Sequence, residues 1–177
     1  MPAISPTRAE VQRFMQDIAS SLDLEGKDVL DVGTAGNPLE GENREWFGAK
    51  AKSYTTLDML ETTNPDIVAD ICDTKLEPEQ FDVIIISQTL EHIFTPQKAV
   101  TEAARLLRPG GTLIIDSPWI GTGIHAEDGF GDYYRYTASC LVKFLQEAGL
   151  EVLGDQVKQT NLLSLAIGRK HETNHSA

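Results

Sequence analysis

Lys27-Asp28-Val29-Leu30-Asp31-Val32-Gly33-Thr34-Ala35-Gly36-Asn37-Pro38 is the stretch on which the reading of this chain turns. A short apolar run ends in an acid, a turn of small residues follows, and a proline stands where a helix opens. That order is the first strand–turn–helix of a nucleotide-binding α/β sheet. A glycine at the strand exit permits a sharp bend. The missing side chains let a ligand come close to the backbone N–H groups, and Asp31 sits within reach of a polar or cationic ligand atom. The dinucleotide fingerprint G-x-G-x-x-G is not met, because Ala35 takes the place of its second glycine.

Outward from that stretch the chain alternates strands and helices. Before it, Val11, Phe14, Met15, Ile18 and Leu22 fall on one helical face within residues 1–26. Thr7 with Glu10 suits a capping box, and Ser5-Pro6 is the alternative start. This helix is expected to cover the sheet, with lid duty as an addition. After the turn, residues 38–49 make a poor helix broken by Gly41 and Gly48, of which Asn43 to Phe47 coils. Strands are expected at Ser53–Asp58, Asp66–Asp70 and Phe81–Ser87, the last with the continuous β-branched run of a strand buried on both faces. Asp58 lies 25 residues past Gly33, near the spacing at which a second-strand acid meets a ribose diol. Gln88, Glu91 and His92 leave the fourth strand at its carboxyl edge. Thr95-Pro96 opens a helix that stops at Arg108-Pro109-Gly110-Gly111, and Thr112–Asp116 is a fifth strand.

Residues 117–136 read as a long loop with four glycines and several aromatics, a length that is usually functional or mobile. Thr137 caps a last helix that ends at Gly149. Leu150–Val157 and Leu162–Ile167 then pair as a hairpin, because Lys158–Asn161 is too short for a crossover. The expected organisation is an N-terminal helix over 1–26, a core domain over 27–169 and a disordered tail over 170–177.

The bulk numbers narrow the function. The chain has 177 residues, 41% of them hydrophobic, and a net charge of −12. That suits one domain with a core and disfavours bulk nucleic acid, which selects a basic face. Cys72 and Cys140 lie far apart without pairing or metal-ligand spacing, which fits free thiols and a cytoplasmic protein. Residues 1–6 carry no apolar run of a signal peptide, and no stretch has the length to span a bilayer.

Strands alternating with helices imply a parallel sheet covered on both faces, and the closing hairpin forces one antiparallel strand into it. With that element the chain resembles the class I S-adenosylmethionine-dependent methyltransferases, in their small branch with little beyond the core. The resemblance covers nearly all of residues 27–168. It rests on Val-Leu-Asp-Val-Gly at 29–33, Thr-Leu-Asp at 56–58 and Val-Ala-Asp-Ile at 68–71. Phe-Asp-Val-Ile-Ile-Ile-Ser with Leu-Glu-His at 81–92, Leu-Leu-Arg-Pro-Gly-Gly-Thr-Leu at 106–113 and Asp-Tyr-Tyr-Arg-Tyr-Thr at 132–137 complete the set. The family's first turn reads G-x-G-x-G, and here Ala35 and Asn37 replace the second and third glycines.

The resemblance implies a Rossmann-like, doubly wound, mostly parallel sheet of seven strands in the order 3-2-1-4-5-7-6. It implies S-adenosylmethionine as cofactor and S-adenosylhomocysteine as product. Gly33, Thr34 and Ala35 would wrap the methionine moiety, with Asp31 assisting at its amino group. Asp58 would hold the ribose hydroxyls with Met59 against the adenine. Asp70 would bond the adenine amino group, Ile71 would pack on the ring, and Ser87 and Gln88 would line the pocket under the methionine. The reaction is then a methyl transfer to oxygen, nitrogen or, less favoured, carbon of an acceptor.

His92 and His125 are the candidate bases for an acceptor that must lose a proton. Trp119, His125, Tyr133, Tyr134 and Arg135 are the candidate acceptor-binding residues, Arg135 through a phosphate or carboxylate. No metal is expected, although His125, Glu127, Asp128 and Asp132 cluster in sequence. With no added domain the acceptor is expected to be a small molecule, and a partner subunit that completes the site stays open, as does the oligomeric state. Two other readings share the first turn: a nicotinamide-dependent oxidoreductase, which does not account for the hairpin, and a non-catalytic binding module that kept the fold.

Overall fold

In the computed structural model, residues 5–33, 42–124 and 131–172 are described. A helix, α1 (Pro6–Ser21), precedes strand β1 (Asp28–Val32). Ser5 is its N-cap, its Oγ accepting from the Arg8 N–H at 3.2 Å, and Pro6 stands at the first helical position. The alternative Ser5-Pro6 start therefore holds and the Thr7/Glu10 capping box does not form. Val11, Met15, Ile18 and Ala19 make the buried stripe, while Phe14 and Leu22 pack at its margin.

After β1 the described chain resumes in a single π-helical turn, Arg44–Gly48, anchored by the buried Phe47. β2 (Ser53–Asp58), β3 (Ile67–Val68) and β4 (Phe81–Ser87) follow. β3 is shorter than the expected Asp66–Asp70, for a local reason. The Asp66 carboxylate takes the Thr56 N–H at 2.8 Å, and Thr56 Oγ1 takes the Asp66 N–H at 3.0 Å. Side-chain bonds thus replace the ladder where the strand would begin. Helix α2 (Pro96–Leu106) leads into β5 (Leu107–Pro118), with a bulge between the pairs Phe81–Leu107 and Val83–Thr112. Helix α3 (Ala138–Glu147) is capped by Thr137, whose side chain accepts from the Cys140 N–H.

The expected closing strand Leu150–Val157 is broken. Of it only β6 (Glu151–Val152) is strand; the 3-10 turn Gly154–Gln156 follows, and β7 (Lys158–Gln159) forms within the expected join, both strands pairing antiparallel with β8 (Leu163–Arg169). Among the described residues the sheet therefore has eight strands in the order β3-β2-β1-β4-β5-β8-β6, with β7 also on β8. β3, β2, β1, β4 and β5 are parallel and β8 is antiparallel to β5. This is the expected doubly wound order, with one short strand added. Bonding runs on past β8, since the Lys170 N–H donates to the Gly111 carbonyl at 2.9 Å; residues 173–177 lie outside the described residues.

Two cores sandwich the sheet. Leu30, Ile84, Ile86, Leu113 and Ile115 pack with α2 and α3 on one face. Val29, Val83, Ile85, Ile114 and Leu165 pack with α1 and Phe47 on the other. Each such side chain contributes roughly 1.5–3 kcal/mol relative to exposure, and together they fix the carboxyl ends of β1, β2 and β4 side by side. Cys72 and Cys140 carry free thiols. Among the described residues no helix is long and apolar enough to cross a membrane, and no three His, Cys, Asp or Glu side chains gather as a metal group.

Candidate functional site

A cavity of about 800 Å³ opens across those carboxyl ends, in the upper part of the range that holds drug-sized ligands. β1 contributes Val32 and Gly33, β2 Leu57 and Asp58, and the exit of β4 Gln88, Thr89, His92 and Ile93. The first turn of α1 roofs it with Ser5 to Arg8, and the exit of β5 closes the far side with Gly121 to Ile124. The two covering segments touch. Thr122 Oγ1 donates to the Leu162 carbonyl at 3.0 Å, so Thr7 is the donor in the 2.9 Å contact between the two threonine hydroxyls.

The floor depends on Gly33. Its φ is +78°, a region costly for residues with a side chain, and a Cβ there would lie inside the Thr89 side chain. Thr89 is fixed in turn by bonds from Oγ1 to the carbonyls of Val32 at 3.2 Å and Ser87 at 2.9 Å. Gln88, beside it, is left-handed at φ +51°, strain of order 1–3 kcal/mol for a residue with a side chain. Its N–H donates to the Asp116 carbonyl at 3.3 Å and its Nε2 to Asp116 Oδ1 at 2.5 Å.

Two acids line the opposite end. Asp58 Oδ1 accepts from the Leu60 N–H at 2.9 Å, and Asp70 Oδ1 from the Cys72 N–H at 2.8 Å. Each carboxylate is aimed by its own loop through one oxygen, and each lines the cavity. Burial raises the Asp58 carboxyl above its ordinary range, while the backbone N–H groups of Leu60 and Met59 hold it back. Met59 and Ile71 flank these acids, Met59 largely exposed and Ile71 buried. This donor set suits a ligand that carries a vicinal diol and an amino group beside a flat ring.

At the β4 exit, the 3-10 turn Leu90–His92 is clamped by residues 131–136. Gly131, Tyr133 and Tyr136 meet it in succession: the Gly131 carbonyl takes His92 Nδ1 at 2.5 Å, the Tyr133 N–H donates to the Glu91 carbonyl at 2.8 Å, and the Tyr136 hydroxyl donates to the Leu90 carbonyl at 3.3 Å. A carbonyl only accepts, so Nδ1 of His92 carries the proton and Nε2 is the basic nitrogen of the neutral ring. Nε2 lies 3.7 Å from Glu91 Oε1. Glu91 is completely buried, which pushes its carboxyl up to about 8; nearby Asp116 adds to this, and Ser117 and Arg135 oppose it. Burial likewise pushes Asp116 up to about 6, with Asp31 adding to it and Ser87 and Gln88 opposing it.

Of the residues singled out from sequence, the cavity gathers Gly33, Asp58, Met59, Asp70, Ile71, Gln88 and His92. Asp31 does not line it. Its buried carboxylate accepts from the Tyr54 hydroxyl and from Asn43 Nδ2 at 3.2 Å, beneath the floor. Ser87 is buried behind Gln88. Thr34, Ala35 and His125 lie outside the described residues.

Of the expected acceptor residues, Trp119, Tyr133, Tyr134 and Arg135 are not among those that line the described cavity. The Arg135 guanidinium is engaged by both oxygens of Asp132 and by the Gly123 carbonyl at 3.0 Å, so it does not stand ready for an anionic acceptor. Tyr134 donates its hydroxyl to the Phe94 carbonyl, and Tyr133 packs edge-on against Phe94 outside the cavity. Trp119 does not line the cavity either; its N–H serves the Leu162 carbonyl. Sequence reasoning missed Thr89 and the roof residues Thr7, Arg8 and Gly121 to Ile124. For Thr89 a signal existed, since a glycine forced by φ needs a neighbour filling the space of its Cβ. For the roof the sequence offered only the lid duty expected of the first helix, not which of its residues would meet 121–124, because that depends on how α1 lies across the sheet.

Residues 30–115 match the profile of a family described as a methyltransferase domain. The chain is 32% identical over 107 residues to the ubiquinone biosynthesis O-methyltransferase of Klebsiella pneumoniae subsp. pneumoniae, covering 52% of this chain and 43% of that protein. It thus spans a little under half the length of the first such relatives. Among solved structures, the [4+2]-cyclase SpnF superposes with a TM-score of 0.73 at 16% identity, covering 93% of this chain and 82% of that one. The Burkholderia thailandensis 1,6-didemethyltoxoflavin-N1-methyltransferase, solved with 1,6-didemethyltoxoflavin and S-adenosylhomocysteine, superposes with a TM-score of 0.68 at 16% identity, covering 92% and 79%. These two likenesses are of fold alone, and they join different chemistries.

Proposed function

The chain belongs to the class I S-adenosylmethionine-dependent methyltransferase family, and on that premise we propose that it moves a methyl group to an oxygen or nitrogen of a small-molecule acceptor. The observation that carries this reading is the single cavity into which Asp58 and Asp70 both present carboxylates braced by their own loops. Asp58 takes the ribose diol, since one ionised carboxylate accepts two hydroxyl donors. Asp70 takes the adenine amino group, with Ile71 and Met59 on the ring. Gly33 and Gln88 border the methionine end. Asp31 and Ser87 act from behind this floor, and Thr34 and Ala35 would complete the wrap around the methionine. An acceptor oxygen is favoured by the O-methyltransferase name of the relatives, and a small acceptor by the 1,6-didemethyltoxoflavin bound in the structural neighbour.

The bound cofactor supplies an activated methyl on a sulfonium, already a good leaving group. What the chain adds is alignment and exclusion of water. Holding an acceptor in line is worth on the order of 7–11 kcal/mol, and the roof of α1 and residues 121–124 is placed to do both. For a hydroxyl acceptor a base is needed. His92 fills that role through Nε2, with its other nitrogen tied to Gly131. His125 is the second candidate. Thermal denaturation with S-adenosylmethionine, S-adenosylhomocysteine and NADH tests the reading. The first two should raise the midpoint and NADH should not; a shift with NADH alone, or none with either adenosyl ligand, overturns it. Isothermal titration that finds no adenosyl-ligand binding would favour a binding module that kept only the fold.

A further inference from the structure

Among the described residues Gln88 is one of four non-glycine residues with a left-handed backbone, beside Asn64, Lys75 and Glu79, and of these it alone lines the cavity. The bonds that hold it, from its N–H and from its Nε2, both end on Asp116 of β5. A carboxylate only accepts, so the amino end of the carboxamide must face Asp116. Its other end, Oε1, accepts no hydrogen bond among the described residues. We infer that Asp116 is a positioning residue: it turns the Gln88 carboxamide so that the cavity meets the carbonyl oxygen, an acceptor for the ammonium end of an amino-acid ligand.

The surroundings suit that role. Asp116 is almost fully buried. The charged group acting on it is Asp31 from β1; Glu91 from the turn after β4 is a second acid nearby, raised by Asp116 in its turn, and Ser87 and Gln88 of β4 are its uncharged polar neighbours. Across β8 its register partner is the apolar Leu165. Once protonated, Asp116 can donate as well as accept. The carboxamide then turns over with no hydrogen bond lost, and an amino group faces the ligand's ammonium. Because burial places this titration near 6, the reversal falls in a range open to measurement.

The inference rests on the reading of the cavity as an S-adenosylmethionine site, and the experiment separates the two. The affinity for S-adenosylhomocysteine is measured by isothermal titration from about pH 5 to about pH 7, a range in which the ligand's own ammonium stays charged. Wild type, Asp116→Asn, Gln88→Leu and the double variant are compared, each checked for folding by circular dichroism. Wild type should lose about threefold to tenfold in affinity toward the acid end. Asp116→Asn should stay at the lowered affinity throughout, because an amide partner does not dictate the orientation. In the Gln88→Leu background Asp116→Asn should change nothing further. Every other titratable group of the chain is present in all four proteins, so what it contributes is common to the four profiles.

Asp116→Asn with the wild-type profile, or with an equal effect when Gln88 is Leu, overturns the inference while leaving the cofactor reading standing. Absence of binding to wild type near neutral pH overturns both. Should Asp116→Asn not fold, wild type against Gln88→Leu decides alone: the acid loss must flatten in the variant, and an unchanged loss sinks the inference.

Discussion

Replacing Glu91 by Gln should make the protein more stable at alkaline pH, and the structure sets the size of the effect. Glu91 is completely buried, and its carboxyl is pushed from the ordinary 4.5 up to about 8. At about 1.4 kcal/mol per tenfold change in proton affinity, ionising it in the folded chain costs up to about 5 kcal/mol more than in the unfolded chain. The sign follows from proton counting. Between these two values the folded chain binds more protons than the unfolded one, so stability falls as pH rises from about 4.5 to about 8 and levels off above. About 4 kcal/mol of that loss lies between pH 5 and pH 9, a large part of a net stability of about 5–15 kcal/mol. Glu91→Gln cannot ionise, and its amide oxygen still accepts from Ser117. Thermal midpoints of both proteins at several pH values give the comparison. At about 2–4 °C per kcal/mol for a chain of this size, the variant should gain roughly 10 °C on wild type between the two ends of that range. The difference between the two slopes isolates Glu91 from every other titrating group. Parallel curves would refute the reasoning, and would mean that Glu91 is ionised and solvated in solution.

Three further outcomes are expected. Asp58→Asn should weaken S-adenosylhomocysteine roughly tenfold or more by calorimetry, since a charged acceptor for a diol is exchanged for a neutral one; unchanged affinity would remove Asp58 from the ribose. Gly33→Ala should destabilise by about 2 kcal/mol or more in chemical denaturation, combining the left-handed backbone with overlap on Thr89. Adding Thr89→Ala should recover the overlap and not the backbone cost. Glu102→Gln should cost about 2 kcal/mol at neutral pH and nothing in strong acid. Hydrogen bonding to Arg105 holds that carboxyl down to about 2, so its contribution is present above about 4.5 and is lost as pH falls through 2.

Much of the architecture was legible because it is written in local patterns. The run Phe81–Ser87 could be nothing but an inner strand, Thr137 is the cap it reads as, and the short join ahead of the last strand forced the antiparallel closure that distinguishes this sheet. Where the reading slipped, a side chain outbid the pattern. Asp66 bonded back to Thr56 and shortened β3, and Ser5 capped α1 ahead of Thr7. On the site, acids at strand exits were readable because spacing places them. The direction of Arg135 was not, because its partner Asp132 lies only three residues away and engages its guanidinium. Nor does Asp31 advertise in sequence that Tyr54 and Asn43 will claim it. A residue's direction into or away from a cavity is a property of its neighbours in space.

The two rims of the sheet share one trait. On one side stands β3, two residues long, and on the other β6 and β7, two residues each with a turn between them. An open rim of that length gives a stranger's backbone too few consecutive N–H and C=O groups to grip. Concentrated solutions of this protein should therefore resist growth into β-sheet fibrils, and a substitution that straightened Gly154–Gln156 into continuous strand would be the change to fear.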